Sequence, residues 1–212
     1  KTMRYERKYK IDHLSYSLVE QSIRLHPAGF RKIFPNRQVN NIYFDSIHLK
    51  NYHDNVEGVA ERQKVRIRWY GENPTVIKSP NLEIKTRLNE VGKKAIIPVP
   101  NFELYQLKMI TRITNALLPH TPRLIPVLVN SYARSYYGTT DGKYRLTIDR
   151  DLRFFSLLNA NRFTRFNITE QAVVLELKYD QEYDNTTDRI TQFLPFRQTK
   201  SSKYVTGVQL TV

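Results

Sequence analysis

The sequence predicts an α+β domain dominated by antiparallel strands, and three observations carry that prediction. Six strand-like segments place charge on one parity and mostly apolar residues on the other, as half-buried antiparallel strands do. Thr139-Thr140-Asp141-Gly142 separates two of these segments with the chemistry of a hairpin turn. Residues 101–118 carry Leu104, Leu107, Ile110, Ile113 and Leu117 close to a 3.6-residue period, which marks an amphipathic helix. No repeat, low-complexity tract or shift in composition marks a boundary, so residues 1–212 read as one domain.

Taken in order, Tyr5–Ile11 is the first strand, with Arg4, Glu6, Lys8 and Lys10 alternating with Tyr5, Tyr9 and Ile11. His13–Leu25 follows as a helix with Leu14, Leu18 and Ile23 at roughly helical spacing, stopped by His26-Pro27. Asn41–Asp45 is a short strand, and Leu49–Tyr52 a helical turn before a polar loop. Lys64–Tyr70 is the clearest strand, with Lys64, Arg66 and Arg68 against Val65, Ile67 and Trp69. Gly71–Asn81, with two prolines, is a turn or flexible loop. Leu82–Leu88, with Glu83, Lys85 and Arg87 against Ile84 and Thr86, completes a hairpin with Lys64–Tyr70. Asn101 stands where the N-cap of the 101–118 helix belongs. Val127–Tyr137, Tyr144–Asp149 and Ala172–Tyr179 are the remaining strands, Asn185–Leu194 is a short last helix, and Lys200-Ser201-Ser202-Lys203 precedes the C-terminus.

The charged parities together hold 11 basic and 4 acidic groups. Half-buried sheets expose charge by default, but they mix the signs, because like charges on adjacent strands destabilise each other. Lys64, Arg66 and Arg68 put three cations on one face within ~13 Å, a spacing suited to a chain of phosphates. The whole chain agrees in sign, with 34 Lys and Arg against 20 Asp and Glu, a net charge of +14 and a pI near 9.9. Such a field favours anionic partners: nucleic acid, an acidic membrane surface or phosphorylated molecules. A hydrophobic fraction of 40% excludes a disordered tail.

There is no cysteine, which excludes disulfides, thiolate metal sites and cysteine nucleophiles, and leans towards a reducing, cytoplasmic compartment. No apolar run approaches the ~18 residues of a membrane span, and no apolar signal segment opens the chain. The first residue is Lys1 rather than Met, as expected of a piece trimmed from a longer protein, and the sequence leaves open whether a membrane or partner segment belongs with it. The five histidines show no metal-ligand spacing, and 7 glycines are too few for a Walker-type phosphate cradle. The acidic positions on the basic faces carry more information. A divalent cation bound to phosphates needs only one or two protein carboxylates. Glu176, between Leu175 and Leu177, is the best candidate, with Glu6 and Glu83 behind it, each weighed against an ion pair with a neighbouring Arg or Lys.

An ordered set of motifs then points to a family. Arg4-Tyr5-Glu6-Arg7-Lys8-Tyr9, Asn41-Ile42-Tyr43-Phe44-Asp45, Val65-Arg66-Ile67-Arg68-Trp69-Tyr70-Gly71, Leu82-Glu83-Ile84-Lys85, Leu175-Glu176-Leu177-Lys178 and Ser201-Ser202-Lys203-Tyr204 follow one another along the chain. Together, from about Arg4 to Val208, they resemble the VTC (vacuolar transporter chaperone) polyphosphate polymerase domain of the triphosphate tunnel metalloenzyme superfamily. The resemblance implies an antiparallel β-barrel forming a charged tunnel, with charged side chains inside and helices packed on the outside. It implies that Lys8, Arg66, Arg68, Lys85, Arg134 and Arg145 bind the triphosphate and the growing chain, joined by Lys200, Ser202 and Lys203, and that Glu176 holds the metal. The wider superfamily opens with an ExExK strand. Here Glu6-Arg7-Lys8-Tyr9-Lys10 keeps the first carboxylate and replaces the second with Lys8, as is typical of the VTC branch. That exchange removes a metal ligand and adds a phosphate contact.

The function implied is a metal-dependent (Mn²⁺ or Mg²⁺) polymerase that transfers the γ-phosphoryl of ATP to phosphate or polyphosphate, with Arg66, Arg68, Lys85, Arg134 and Glu176 as its catalytic groups. Two rivals keep the same residues: hydrolysis of inorganic triphosphate or nucleoside triphosphates, and a non-catalytic module that binds polyphosphate. Nucleic acid is disfavoured as a partner, because several of the 14 tyrosines fall on the parities expected to be covered.

Overall fold

In a computed structural model, residues 4–73, 75–88, 91–158 and 168–212 are described. The elements in chain order are β1 (Arg4–Ile11), α1 (Tyr16–Arg24), β2 (Arg31–Asp45), α2 (Lys50–Glu57), β3 (Glu61–Tyr70), β4 (Val76–Ile77), β5 (Asn81–Leu88), β6 (Val91–Pro98) and β7 (Phe102–Glu103). They continue with α3 (Leu107–Leu117), β8 (Ile125–Gly138), β9 (Tyr144–Ser156), β10 (Ile168–Glu170), β11 (Val173–Asp180), α4 (Asp188–Thr191) and α5 (Lys203–Thr211). The α+β class and the antiparallel pairing follow the sequence pattern. Among the described residues the strand order begins at β1 and stops at β6, so no pairing closes the sheet into the full barrel that the resemblance implies.

The chain divides into two compact units. The first comprises Lys1–Arg37, Tyr132–Leu152 and Glu170–Ser201. In it β1 pairs with β11 and β11 with β9, both antiparallel. The apolar parity forms the core: Tyr9, Ile11, Leu146, Ile148, Leu175 and Leu177 are buried, covered by Val19 and Ile23 of α1. This covered face differs from the expected one. Ser15 caps α1 by accepting from Leu18 N–H, so the inward residues are Val19 and Ile23, four apart, and Leu18 is exposed.

The second unit comprises Gln38–Ser131, Arg153–Thr169 and Ser202–Val212. Here β3 lies between β2 and β5, and β5 pairs with β6. Val65, Ile67 and Trp69 of β3 are at most 1% exposed and pack with Leu82, Ile84 and Ile110. Full burial of side chains of this size stabilises by about 2 kcal/mol each. The 101–118 helix starts later than expected. Asn101 accepts from Ser79 N–H, Phe102–Glu103 pairs with β4, and a 3₁₀ turn over Leu104–Gln106 leads into α3.

Asp45 fixes two helices of this unit. Fully buried, it accepts from the N–H groups of Asn51 and Tyr52 at 2.8 and 2.9 Å, which starts α2, and from the Tyr204 hydroxyl, which anchors α5. Gly207 lets α5 approach the sheet: a Cβ there would meet Leu128 Cδ2 at 2.4 Å and Phe154 Cδ1 at 2.6 Å. No helix among the described residues is long and apolar enough to cross a membrane.

Candidate functional site

On the second unit the charged parity of β3 faces charged partners on β5 and β6. Lys64 lies opposite Lys85, and Lys85 opposite Lys94. Three lysines in register across three strands repel one another. The adjacent row, Arg66 opposite Glu83, supplies one carboxylate. Glu83, 6% exposed, accepts from Arg66 Nε and Nη2 at 2.8 and 2.6 Å and from Lys94 Nζ at 2.8 Å, with Arg68 Nη1 at 3.7 Å. Burial alone would raise the Glu83 carboxyl, but the charges of Arg66, Arg68 and Lys94 outweigh it and hold the group at about 2. Burial lowers the Lys94 ammonium, and the contact with Glu83 opposes that shift.

Neighbouring side chains fix both guanidiniums. Arg68 Nε donates to Asn41 Oδ1 at 2.8 Å, and Asn41 Nδ2 donates in turn to Asn130 Oδ1 at 2.9 Å. Arg66 Nη1 reaches the Tyr43 hydroxyl at 3.4 Å, and the guanidinium carbon lies 6.0 Å from the Tyr43 ring centroid. Lys64 Nζ donates to Ser202 Oγ at 2.9 Å, and Ser202 also caps α5 by accepting from Val205 N–H. This places Ser202 beside Lys64 and puts Lys203 in the first turn of α5.

On the first unit, Lys8 lies opposite Glu176 in register, with Nζ 3.5 Å from Oε1. Lys178 Nζ bridges Glu176 Oε2 at 3.3 Å and Glu6 Oε1 at 3.6 Å. Arg134 makes a two-point contact with Asp149 at 2.6 and 2.7 Å and covers the Tyr132 ring at 5.2 Å. Burial works against the Arg134 charge, and Asp149 more than compensates, raising its pKa well above the ordinary value. Arg145 is exposed and in register with Lys178. Thr199 N–H donates to Lys8 O, Lys10 N–H donates to Thr199 Oγ1, both at 2.8 Å, and Lys8 Nζ donates to Ser201 O at 3.3 Å. The segment bearing the exposed Lys200 therefore lies along β1.

Sequence reasoning missed Lys94, Asn41 and Asp149 as parts of these clusters. The Gly92-Lys93-Lys94 stretch has no apolar alternation to announce a strand, and only the register with β5 places Lys94 against Glu83. Asp149 was visible as an acid on a charged parity, but its pairing with Arg134 depends on contacts between β8 and β9.

Among the described residues no three His, Cys, Asp or Glu side chains cluster to form a metal cage. The donor set fits a cation coordinated mainly by phosphate oxygens and water, which takes one or two protein carboxylates. Glu176 is held by Lys8 and Lys178 at 3.5 and 3.3 Å. In register with it is Thr147, whose buried Oγ1 has no hydrogen-bond partner. Glu6 is joined to Glu176 through Lys178. Glu83 is engaged by three cations and acts as the anchor of Arg66 and Arg68; binding a metal would require it to give up those contacts.

Solved structures share this architecture along nearly their whole length. A candidate adenylate cyclase from Vibrio parahaemolyticus superimposes with a TM-score of 0.56 at 11% identity, covering 97% of this chain and 98% of its own. A candidate adenylyl cyclase from Hippeastrum, described as having a dominant triphosphatase activity, gives 0.55 at 14% identity, over 99% and 97% of the two chains. A candidate adenylate cyclase from Bacillus halodurans gives 0.55 at 13%, over 95% and 94%. At these identities the likeness concerns the fold, which is of the triphosphate-tunnel type. No curated protein matches the sequence. The sequence matches the VTC domain over residues 3–212, so the chain belongs to the VTC domain family.

Proposed function

We propose that this protein is a metal-dependent polyphosphate polymerase that transfers the γ-phosphoryl group of ATP to phosphate or polyphosphate. The observation that carries the reading is the second unit's face, where Lys64, Lys85 and Lys94 stand in register beside two arginines that share one carboxylate. A family whose resemblance implies polyphosphate chemistry supplies the context. Cations assembled at this density offset one another's repulsion when a chain of phosphates lies over them.

In the transfer, the bond from Pγ to the β,γ-bridging oxygen breaks, ADP leaves with the electron pair, and a terminal phosphate oxygen of the acceptor bonds to Pγ. Little covalent chemistry is required of the protein, so positioning and charge stabilisation supply most of the rate. Arg66 and Arg68, held by Glu83, Asn41 and Tyr43, present oriented donors to phosphate oxygens. Lys85, Ser202 and Lys203 extend the contacts on the second unit, and Lys8, Arg134, Arg145 and Lys200 supply those on the first. Glu176, with Glu6 as a second carboxylate, would hold Mn²⁺ or Mg²⁺, which when bound neutralises charge on phosphate oxygens.

Incubation with ATP and Mn²⁺ tests the proposal. Chains of phosphate should accumulate with stoichiometric ADP, and the combination Arg66→Ala with Glu176→Gln should abolish them. Absence of chains from the wild type, or indifference to those substitutions, sinks the polymerase reading. Hydrolysis of triphosphates by the same groups is the second reading, favoured by the triphosphatase activity described for the Hippeastrum structure. It predicts free phosphate without chain growth. A binding-only module predicts tight association and no turnover with any metal.

A further inference from the structure

The first half of β2 is unlike every other strand of the first unit: residues 31–37 are exposed on both parities. Phe34 is 51% exposed. Its ring meets Tyr136 edge to face at 5.9 Å between centroids, and the Arg37 guanidinium lies 5.8 Å from each of the two centroids. The core gains little from a half-exposed phenylalanine held this way. This surface is also poorly suited to self-association, because Arg31, Lys32 and Arg37 repel a second copy.

The place of the cluster on the strand matters as much as its composition. Tyr136 is two residues beyond Arg134 on β8 and on its parity, so the two side chains leave the same face ~6.6 Å apart. That is about the distance a ribose bridges between a base and its α-phosphate. We propose that Phe34, Tyr136 and Arg37 form a stacking platform for the base of the nucleoside triphosphate donor, with its phosphates directed towards Arg134. This inference rests on the phosphoryl-transfer reading above and adds a nucleoside subsite to it. Stacking accepts any base through its π face, so the platform favours nucleotides over inorganic triphosphate without strict choice among bases.

Calorimetric titration of the full chain with ATP and, separately, with inorganic tripolyphosphate tests the platform. Phe34→Ala should weaken ATP about tenfold, as loss of one stacked base does, and leave tripolyphosphate unchanged. Phe34→Trp should retain the ATP affinity. Equal weakening of both ligands, or no change in either, overturns the platform while the phosphate-binding reading stands. If the wild type binds neither ligand, that reading falls and the platform with it. Should a short oligothymidine lose affinity in Phe34→Ala while ATP does not, the surface serves single-stranded nucleic acid and the nucleoside assignment is wrong.

Discussion

The two units carry basic faces built on the same alternation but with opposite electrostatic bookkeeping. On the second unit Arg66, Arg68 and Lys94 converge on one buried carboxylate, Glu83, with Lys64 and Lys85 in register with Lys94 in the adjacent row. On the first unit the carboxylates are spread among the cations: Lys8 and Lys178 share Glu176, Lys178 also reaches Glu6, Arg134 pairs with Asp149 and Lys10 with Glu170. Under the proposed function, the face whose cations converge on Glu83 would hold phosphates. Under the same proposal, the face whose acids and bases alternate would release a carboxylate to a metal ion and offer the displaced lysine to the phosphate that accompanies it. The two faces differ in where the acids fall in the register.

The largest effect expected from this difference is on the first unit. Glu176→Gln removes a charge but little volume, and should lower metal-dependent turnover by about a hundredfold or more while the fold persists. A Glu176→Gln enzyme of normal turnover would show that the balanced face is structural only. Next comes Glu83→Gln, which leaves the buried Arg68 and the partly buried Arg66 without their shared anion and should cost about 2–3 kcal/mol in urea unfolding. If Glu83→Gln is neutral, solvent already satisfies those cations.

The pH dependence sharpens the same contrast. The Glu83 carboxyl is depressed from 4.5 to about 2 in the folded protein, so its stabilising contribution is complete above pH 4.5 and is lost as pH falls towards about 2. Wild type should lose stability across that window, and Glu83→Gln should lack this component of the loss. The smallest effect concerns Thr147, whose buried hydroxyl has no partner. Thr147→Val should change stability by less than about 1 kcal/mol, in either direction, since it removes an unsatisfied polar group. A clear loss of metal-dependent turnover in this variant would tie the hydroxyl to the chemistry beside Glu176.

How much of this was visible in the sequence depended on whether the signal was local. The alternation of Lys64–Tyr70 announced β3, and its apolar parity is the buried one. The first half of β2 was invisible because Arg31–Arg37 is exposed on both sides and contains Pro35, so no period marks it. The continuation of β9 past Asp149 was hidden by Asp151, whose φ of +54° interrupts the regular strand. The last helix was expected at 185–194, yet α5 follows it, since Lys203–Thr211 gains its place from the Tyr204–Asp45 contact and the close approach at Gly207. The site behaved likewise: charged parities were legible residue by residue, whereas the anchoring of two arginines on Glu83 and the bridging of two glutamates by Lys178 depend on register between strands.

The central claim is that the charged side of β3 exists to hold phosphates, and tripolyphosphate binding to Arg66→Ala/Arg68→Ala tests it most directly. Each charged hydrogen-bonding group removed should cost about 1.5–3 kcal/mol, so titration calorimetry should show affinity falling by at least a hundredfold, with the fold preserved by circular dichroism. Unchanged affinity in a folded double variant would contradict the account and return these arginines to the role of solvated surface charges.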